Sequence, residues 1–289
     1  MSFSFIKYSK LYYIFSGILI AASIASLVMF GLKFGIEFTG GSNMEVEFSA
    51  QRPNNEVVSQ KLTEFNLGEI TIQPTGEKGA ILRFKGIDEE THQKILSKLN
   101  ELSGAEEKNF QYIGPSIGNE LKNKTMLSIA LALLAITLYI AFAFRKVSKP
   151  VSSWKYGITS LIALFHDIII PVGLFSLLGH FYNVEITIPI IAALLTVLGF
   201  SVHDTIVIFD RIRENILRGS APSFKETVDL SLNQTAGRSV GTVLTTLLVL
   251  FAIFFFGGET LRYFSLALIV GIGAGVYSSI FIASSLLVT

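Results

Sequence analysis

One stretch decides the fold of this chain: LGFSVHDTIVIFDRIREN, residues 198–215, which begins as lipid-soluble helix and ends as charged surface. It continues an apolar run that starts at residue 186 and has the length of a membrane-crossing helix. His203 and Asp204 stand inside that run. Because a bilayer interior contains no water to solvate a charge, such residues persist there only with a compensating partner or a function.

The composition also indicates a membrane protein. Of 289 residues, 51% are hydrophobic and 16% are charged, with 24 phenylalanines and a mean hydropathy of +0.57, whereas soluble domains carry about 25% charged residues. The sequence contains no cysteine, which excludes disulfides, thiolate metal ligands and a cysteine nucleophile.

Six apolar stretches have the roughly 20 residues that a transmembrane helix requires. They cover residues 11–32, 125–144, 156–178, 186–208, 239–258 and 263–289. The first follows Lys7 and Lys10, as in a cleaved signal peptide, but its 22 residues exceed the about 7–15 apolar residues of such a segment. We expect it to remain as an anchor.

The orientation follows from the lysines and arginines of the short loops. With the N-terminus in the cytoplasm, the inner side carries eleven such residues and the short outer loops carry one, Arg262. The eleven are Lys7, Lys10, Arg145, Lys146, Lys149, Lys155, Arg211, Arg213, Arg218, Lys225 and Arg238. Residues 34–124 are then extracytoplasmic. No basic residue follows the last span, a pattern expected of a chain cut short of its natural end.

Residues 33–124 form a polar insert of 92 residues, with 14 acidic and 11 basic side chains. Alternation over residues 43–48 predicts a strand, and residues 56–65 predict a helix with Val57, Leu62 and Phe65 on its apolar side. Residues 69–73 and 80–85 predict a strand pair joined through Pro74-Thr75-Gly76.

A second helix is predicted to start at Asp88, with Ile95, Leu99 and Leu102 at helical spacing, before a last strand at residues 109–113. This β-α-β-β-α-β order is that of the ferredoxin-like split motif. The predicted fold is therefore a polytopic α-helical membrane protein. It has six transmembrane helices and a small α+β, ferredoxin-like extracytoplasmic domain between the first and second. Its parts are residues 1–33, 34–124 and 125–289.

The one long inner loop is predicted to hold an amphipathic helix at about residues 222–237. The capping box Ser223-Phe224-Lys225-Glu226 marks its start, and Phe224, Val228 and Leu232 line one face. The helix either lies along the inner membrane surface or packs as an ordinary cytoplasmic helix.

In the last span Gly271, Gly275 and Ser279 recur at intervals of four residues. This stripe of small residues predicts the close approach of another helix. The alternative is that lipid simply tolerates small residues at these positions.

Asp167 is the most deeply placed of the intramembrane charges. It follows Lys155 by 12 residues, or about 18 Å along a helix, which brings it near the bilayer midplane. An ionised carboxylate there costs roughly 2.5–3.5 kcal/mol on insertion scales, so we expect Asp167 to have a function. His166 projects about 100° away around the helix and is not expected to face the same partner.

Asp204 lies either within the membrane or at its inner interface. In helical projection Asp204 and Arg211 share one face, while His203 and Asp210 share the neighbouring face. Each pair is seven residues apart, about 10 Å of rise, which is too far for an ion pair but suits a polar stripe toward the cytoplasm. The alternative for Asp210 and Arg211 is a helix end with solvated charges.

Facing carboxylates with histidine and arginine nearby are what a proton relay needs. A desolvated acid takes up a proton, and an approaching arginine keeps the acid ionised. Such a relay draws on the membrane potential, about 2.3 kcal/mol per charge per 100 mV. We therefore predict an ion-coupling site formed by His166, Asp167, His203, Asp204, Asp210 and Arg211.

The sequence lacks the residue patterns that other kinds of chemistry require. The four histidines are scattered, and neither His-Asp pair supplies the three converging ligands of a catalytic metal. No G-x-S-x-G, H-E-x-x-H or P-loop pattern occurs, and no basic stretch interleaves with aromatic residues as for nucleic acid. We predict no enzyme, catalytic residue, metal, cofactor or nucleic-acid partner.

With these residues in view, the sequence resembles the SecF family, the smaller subunit of the SecDF protein-export complex in the resistance-nodulation-division transporter superfamily. The matching stretches cover nearly the whole chain in order. They are Phe34-Gly35-Ile36-Glu37-Phe38-Thr39-Gly40-Gly41, His166-Asp167, residues 199–215, Ser231-Leu232-Asn233-Gln234-Thr235 with Arg238, Phe254-Phe255-Phe256-Gly257-Gly258 and Tyr277-Ser278-Ser279-Ile280-Phe281.

The resemblance implies a six-span half-transporter of the bacterial inner membrane that pairs with SecD beside the SecYEG channel, with YajC and YidC as further partners. It implies use of the proton or sodium motive force to move secreted preproteins. It gives coupling roles to Asp167, Asp204 and Arg211, with Asp210 as an additional member. Glu37, Phe38, Thr39, Gly40 and Gly41 have structural roles.

Two positions depart from the family pattern. Glu37 stands where the family usually has Asp, and His203 stands where it often has Asn, which adds a titratable group and bears on the choice between proton and sodium. Two other functions remain open. A small-molecule or lipid exporter of the superfamily would have twelve spans in one chain and a larger outer domain. A non-conducting scaffold would not depend on Asp167.

Overall fold

The computed structural model describes residues 3–143 and 151–289. In chain order its elements are α1 (Ser9–Phe30), α2 (Ile36–Thr39), β1 (Gly41–Phe48), α3 (Asn55–Leu62), β2 (Thr71–Thr75), β3 (Gly79–Phe84), α4 (Glu89–Ser103), β4 (Ala105–Ile113), α5 (Pro115–Ala143), α6 (Ser153–Tyr182), α7 (Ile188–Arg218), α8 (Phe224–Phe256), α9 (Glu259–Tyr277), a π-helical turn (Ser278–Ala283) and α10 (Ser284–Val288). Short 3-10 helices stand at Ile6–Tyr8 and Thr63–Phe65.

Six helices within these residues are long and apolar enough to cross a membrane, as predicted. They are α1, α5, α6, α7, α8 and the continuous run formed by α9, the π-helical turn and α10. Four residues used above lie outside the described residues: Phe144 at the end of the predicted second span, and Arg145, Lys146 and Lys149 of the orientation count.

The chain divides into two compact units. The membrane unit comprises Met1–Gly31, Ser128–Leu177 and Pro189–Thr289, and the outer unit comprises Leu32–Leu127 and Leu178–Ile188. The names follow the apolar helices of the first and the polar sequence of the second.

The outer unit contains one antiparallel sheet in the order β2-β3-β1-β4. With α3 and α4 in their places along the chain, this is the predicted ferredoxin-like arrangement. Its core is formed by the alternate residues of β1 and β3 and the inner faces of the two helices. Fully buried members are Met44, Val46, Leu62, Ala80, Leu82, Ile95 and Leu99. Asp88 caps α4 as predicted, since its carboxylate accepts the Thr91 N–H at 2.9 Å.

Two local expectations in this unit are wrong. Val57 is exposed and Val58 is buried, so the apolar face of α3 is displaced by one residue, because Val58 and Leu62 rather than Val57 are four apart. The turn between β2 and β3 is at residues 76–78, and Pro74 belongs to β2. A proline is tolerated there because β2 is an edge strand of the sheet.

The stretch Glu37-Phe38-Thr39-Gly40-Gly41 lies between the first span and the sheet. Its first three residues lie in α2, a single helical turn, and its glycines reverse the chain into β1 with φ of +76° at Gly40 and +143° at Gly41. A side chain at Gly41 would also come within 2.8 Å of the Phe84 carbonyl oxygen. Both the backbone conformation and the space therefore require glycine.

The predicted loop helix at 222–237 is not a separate element. Ser223 caps its start as expected, accepting the Glu226 N–H at 3.3 Å. The helix then continues through the fifth span to Phe256 as α8, because no proline interrupts the sequence between them. Val228 and Leu232 are fully buried, so this part packs against other helices of the membrane unit rather than lying along a membrane surface.

Candidate functional site

The carboxylate of Asp167 is buried within the membrane unit. Asp167 is fully buried and its neighbour His166 is 1% exposed, both on α6. His166 Nδ1 lies 2.8 Å from Asp167 Oδ1. The two side chains therefore contact each other although they start from different faces of the helix.

The other oxygen of Asp167 is bound by two serines from two further helices. Oδ2 accepts hydrogen bonds from Ser201 Oγ on α7 and, at 2.8 Å, from Ser278 Oγ at the start of the π-helical turn. Within residues 3–143 and 151–289 no lysine or arginine lies within 4 Å of this carboxylate. The compensation for burial thus comes from hydroxyl dipoles and an imidazole, not from a lysine or an arginine.

Asp204 on α7 occupies the same polar layer. It is 8% exposed, and its Oδ1 accepts a hydrogen bond of 2.5 Å from Ser239 on α8. Its Oδ2 is buried and makes no hydrogen bond within the described residues. One residue further, Thr205 exchanges a hydrogen bond of 2.8 Å with Ser279.

We call this set the buried polar layer. Its members are His166, Asp167, Ser201, Asp204, Thr205, Ser239, Ser278 and Ser279. They come from α6, α7, α8 and the sixth span, so no two helices alone form it.

Arg211 does not join the layer. Its Nε donates to Gln234 Oε1 at 2.6 Å, and its Nη1 binds Glu214 at 2.5 Å. Two turns of helix separate Arg211 from Asp204, and Glu214, three residues on, supplies a nearer carboxylate. Arg211 thus binds Gln234 and Glu214 rather than Asp204, and its coupling role stays a prediction.

The neighbouring face of α7 is exposed. Asp210 is largely exposed and pairs with Arg213 at 3.4 Å, and His203 is exposed. Within the described residues, His203, Asp210 and Arg211 make no hydrogen bond to the buried polar layer, and their coupling roles stay predictions.

The hydroxyls of the layer are not among the residues predicted for ion coupling, although Ser278 and Ser279 belong to a stretch that matches the family and Ser279 to the small-residue stripe. The available signal was positional: Ser201 lies three residues before Asp204, and Ser278 precedes Ser279 in an apolar span. Serine is common in membrane helices, so a serine signal alone is weak.

The small-residue stripe packs against α7. A Cβ on Gly271 would lie 2.4 Å from Val197 Cγ2, and a Cβ on Gly275 would lie 3.2 Å from Ser201 Cβ. Ser279 follows with its bond to Thr205. Both helices thus present contacts every four residues, and the close approach at Gly275 brings the sixth span within hydrogen-bond reach of Asp167.

An aromatic ring packs against the histidine of the buried polar layer. The ring of Tyr277 stacks on His166 with centroids 5.9 Å apart and 24° between planes, and its hydroxyl donates to the Tyr12 carbonyl oxygen at 3.2 Å. His166 Nε2 is buried and makes no hydrogen bond within the described residues.

This arrangement has donor groups that suit a small cation. A carboxylate ringed by hydroxyls can take up a proton, and carboxylate and hydroxyl oxygens are also the hard ligands that an alkali ion prefers. In the part of the chain that the structure describes, no three His, Asp or Glu residues converge as for a bound transition metal.

Two family descriptions match the chain. The one described as protein export membrane protein SecD/SecF, C-terminal, matches residues 92–289, and the SecD/SecF GG motif matches residues 25–51. The buried polar layer lies in the first match and the Gly40-Gly41 turn in the second.

Curated relatives are similar over nearly their whole length. The protein translocase subunit SecF of Thermobaculum terrenum is 42% identical, over 98% of this chain and 92% of that protein. The subunit of the same name from Rhodothermus marinus is 38% identical, over 99% of this chain and 92% of that protein.

A solved structure shares the fold. The crystal structure of SecDF, described as a translocon-associated membrane protein, from Thermus thermophilus matches with a TM-score of 0.88 and 33% identity. The match covers 100% of this chain and 38% of that one, so this chain spans well under half of the SecDF polypeptide.

Proposed function

Because the chain belongs to the SecD/SecF family of protein-export membrane proteins, on its SecF side, we propose that it is an accessory subunit of the Sec export machinery. It acts with SecD and uses the proton or sodium motive force to promote the translocation and release of secreted preproteins. It is not an enzyme in this role.

The observation that carries the proposal is the buried carboxylate of Asp167. A group of this kind, with no lysine or arginine within 4 Å in the described ranges, is costly in an apolar helix bundle. The cost is offset if the Asp167 carboxylate takes up and releases a cation as a step in protein export. Each charge that moves through 100 mV supplies about 2.3 kcal/mol, which is enough to bias a conformational step.

The partners follow from the exposed apolar faces. In the most apolar parts of α5 and α8, only 6% and 17% of the residues are buried. Such faces need lipid or another membrane protein, and a SecD subunit is the partner whose fold would complete a transporter of twelve spans. SecYEG, YajC, YidC and the exported preprotein are further proposed contacts. The proposed location is the bacterial inner membrane with the outer unit extracytoplasmic.

Asp167→Asn tests the proposal. Secretion into or from membrane vesicles is measured with and without an ion gradient, in complex with SecD. We expect the part of export that depends on the gradient to be lost in Asp167→Asn, because a neutral amide of the same shape takes up no cation. Export driven by ATP alone is expected to continue.

Glu226→Gln is the matched control. It also replaces a carboxylate by an amide, but Glu226 is exposed at the start of α8 and outside the buried polar layer. We expect gradient-driven export to be unchanged. If Asp167→Asn exported as fast as wild type under a gradient while Gly271→Leu abolished export, the chain would be a scaffold instead.

A further inference from the structure

The sixth span changes its helical register where it passes Asp167. Residues Ser278–Ala283 form a π-helical turn between α9 and α10. Such turns are rare and occur mostly as single bulges, often at functional sites. Here the first two residues of the turn are Ser278 and Ser279, both fully buried members of the polar layer.

The wide turn explains how consecutive residues serve one site. In an α-helix successive side chains diverge by about 100°. A π-helical turn contains more residues per turn, so the angle between its successive side chains is smaller. Ser278 therefore reaches Asp167 on α6 while Ser279 reaches Thr205 on α7. The Ser284 hydroxyl donates to the Ser279 carbonyl oxygen at 2.9 Å, which satisfies a backbone acceptor within the turn.

The Ser278 hydroxyl has two acceptors and one proton. Its Oγ lies 2.8 Å from Asp167 Oδ2 and 3.0 Å from the carbonyl oxygen of Gly275. A hydroxyl donates one hydrogen bond at a time but also accepts. With Asp167 ionised, the proton points to Oδ2. With Asp167 protonated, the carboxyl O–H donates to Oγ, and the hydroxyl proton turns to Gly275.

We propose that Ser278, held in reach by the π-helical turn, is the positioning residue that transmits the protonation state of Asp167 to the backbone of the sixth span. This rests on the proposed function only in taking Asp167 as the coupling group. The Ser278 proton rotates and is never released, so the single proton gained or lost is that of Asp167.

The titratable groups facing this site are few. His166 on α6 contacts Asp167 directly, Asp204 on α7 lies in the same layer, and Tyr277 of the sixth span stacks on His166. Within the described ranges, no charged group on α1 or α8 contacts Asp167. A change in pH dependence on removing one hydroxyl is therefore attributable to the hydrogen bond itself.

The test compares Ser278→Ala with Ser265→Ala. Ser265 is a fully buried serine of the same span, and within the described residues its hydroxyl bonds only to the Leu261 carbonyl oxygen of its own helix. Gradient-driven export by the SecD complex is measured across pH. We expect Ser278→Ala to shift the profile by about one unit toward higher pH, the size expected for one charge-assisted hydrogen bond. Ser265→Ala is expected to match wild type, and Ser278→Thr, which keeps the hydroxyl, to restore the profile.

A second readout does not depend on export. The infrared C=O band of protonated Asp167, identified by its absence in Asp167→Asn, reports the hydrogen bond to Ser278. We expect this band to move in Ser278→Ala and to stay in Ser265→Ala, even if export by Ser278→Ala is too weak to profile. If the infrared band and the pH profile of Ser278→Ala both stayed at their wild-type positions, the proposal would be overturned.

The two proposals fail in different ways. If Asp167→Asn retained gradient-driven export, the proposed function would fail. If Asp167→Asn lost it and Ser278→Ala behaved as wild type in both readouts, only the role of Ser278 would fail.

Discussion

His92 of the outer unit shows how a single residue ties two elements together. Its Nε2 lies 2.5 Å from Glu107 on β4, and its Nδ1 lies 3.2 Å from Glu89 on α4. The ring stacks on Phe110 with centroids 3.7 Å apart. Only the imidazolium can donate from both nitrogens, so the protonated form makes both contacts.

The charge state of His92 predicts a pH dependence of stability. Burial by itself lowers the pKa of His92, but the hydrogen bonds to Glu107 and Glu89 outweigh it, so the pKa is raised above its ordinary value. A raised pKa in the folded state gives stability that is complete below the unfolded pKa of about 6.5 and is lost as pH rises through the folded pKa.

We therefore expect the amides of α4 and β4 to exchange faster with deuterium as pH rises through the folded pKa, after correction for intrinsic exchange rates. In His92→Gln the difference between low and high pH should disappear. His180→Gln, which changes an exposed histidine of the same unit, should retain it. Equal pH dependence in His92→Gln and wild type would contradict the assignment.

At the same scale, the sequence identified the buried charges but not their partners. Asp167 and His166 can be recognised from the sequence alone, because a charged residue stands out within an apolar run. The serines that bind Asp167 lie 34 and 111 positions away in the chain, and their local sequence gives only a weak positional signal. Helical projection places Arg211 on the face of Asp204 but does not show the nearer Glu214 and Gln234 that Arg211 binds.

Among the elements, α7 and α9 make a close contact that depends on two glycines of α9, Gly271 and Gly275. A Cβ on Gly271 would meet Val197 at 2.4 Å, at a β-branched side chain with little freedom to move. We expect Gly271→Ala to lower the free energy of unfolding by about 1–3 kcal/mol, the usual cost of overpacking. Thermal unfolding of the purified chain with SecD would measure it.

Val197→Ala in the same chain should recover much of this loss, because it removes the methyl groups that the new Cβ meets. Gly273→Ala is the matched control, since a Cβ there has no atom within 4 Å. Equal destabilisation by Gly271→Ala and Gly273→Ala would show that close packing is not the cause.

Element ends were predicted better where the signal is local. The cap at Ser223 and the cap at Asp88 act within three residues, and both are observed. The start of the first span is different, because Asp229 on α8 accepts the Ile6 N–H at 2.9 Å from 223 residues away. A change from polar to apolar sequence predicts an element boundary near residue 238, whereas α8 continues through it to Phe256, because such a change does not interrupt the hydrogen bonds of the helix backbone.

For the whole molecule, the absence of cysteine from the sequence allows a direct test of orientation. Ser97→Cys places one thiol on the exposed side of α4, and Ser220→Cys places one in the exposed loop between α7 and α8. We expect a membrane-impermeant maleimide to label Ser97→Cys in intact spheroplasts and Ser220→Cys only after permeabilisation.

The physical reason is the distribution of basic residues, which are retained on the cytoplasmic side. Labelling of Ser220→Cys in intact spheroplasts would reverse the proposed orientation, and with it the assignment of the outer unit to the extracytoplasmic side. The wild-type chain provides the unlabelled background.

The sequence by itself determined the number of spans, the class of the outer unit, the family and the positions of the buried acids. Each of these depends on hydropathy, on period or on local motifs, which are properties of neighbouring residues. Only the tertiary structure decided which groups bind those acids. A hydrogen bond is effective over about 3 Å, and the helices that meet at Asp167 are brought to that distance by packing at Gly271 and Gly275, which acts across the whole chain.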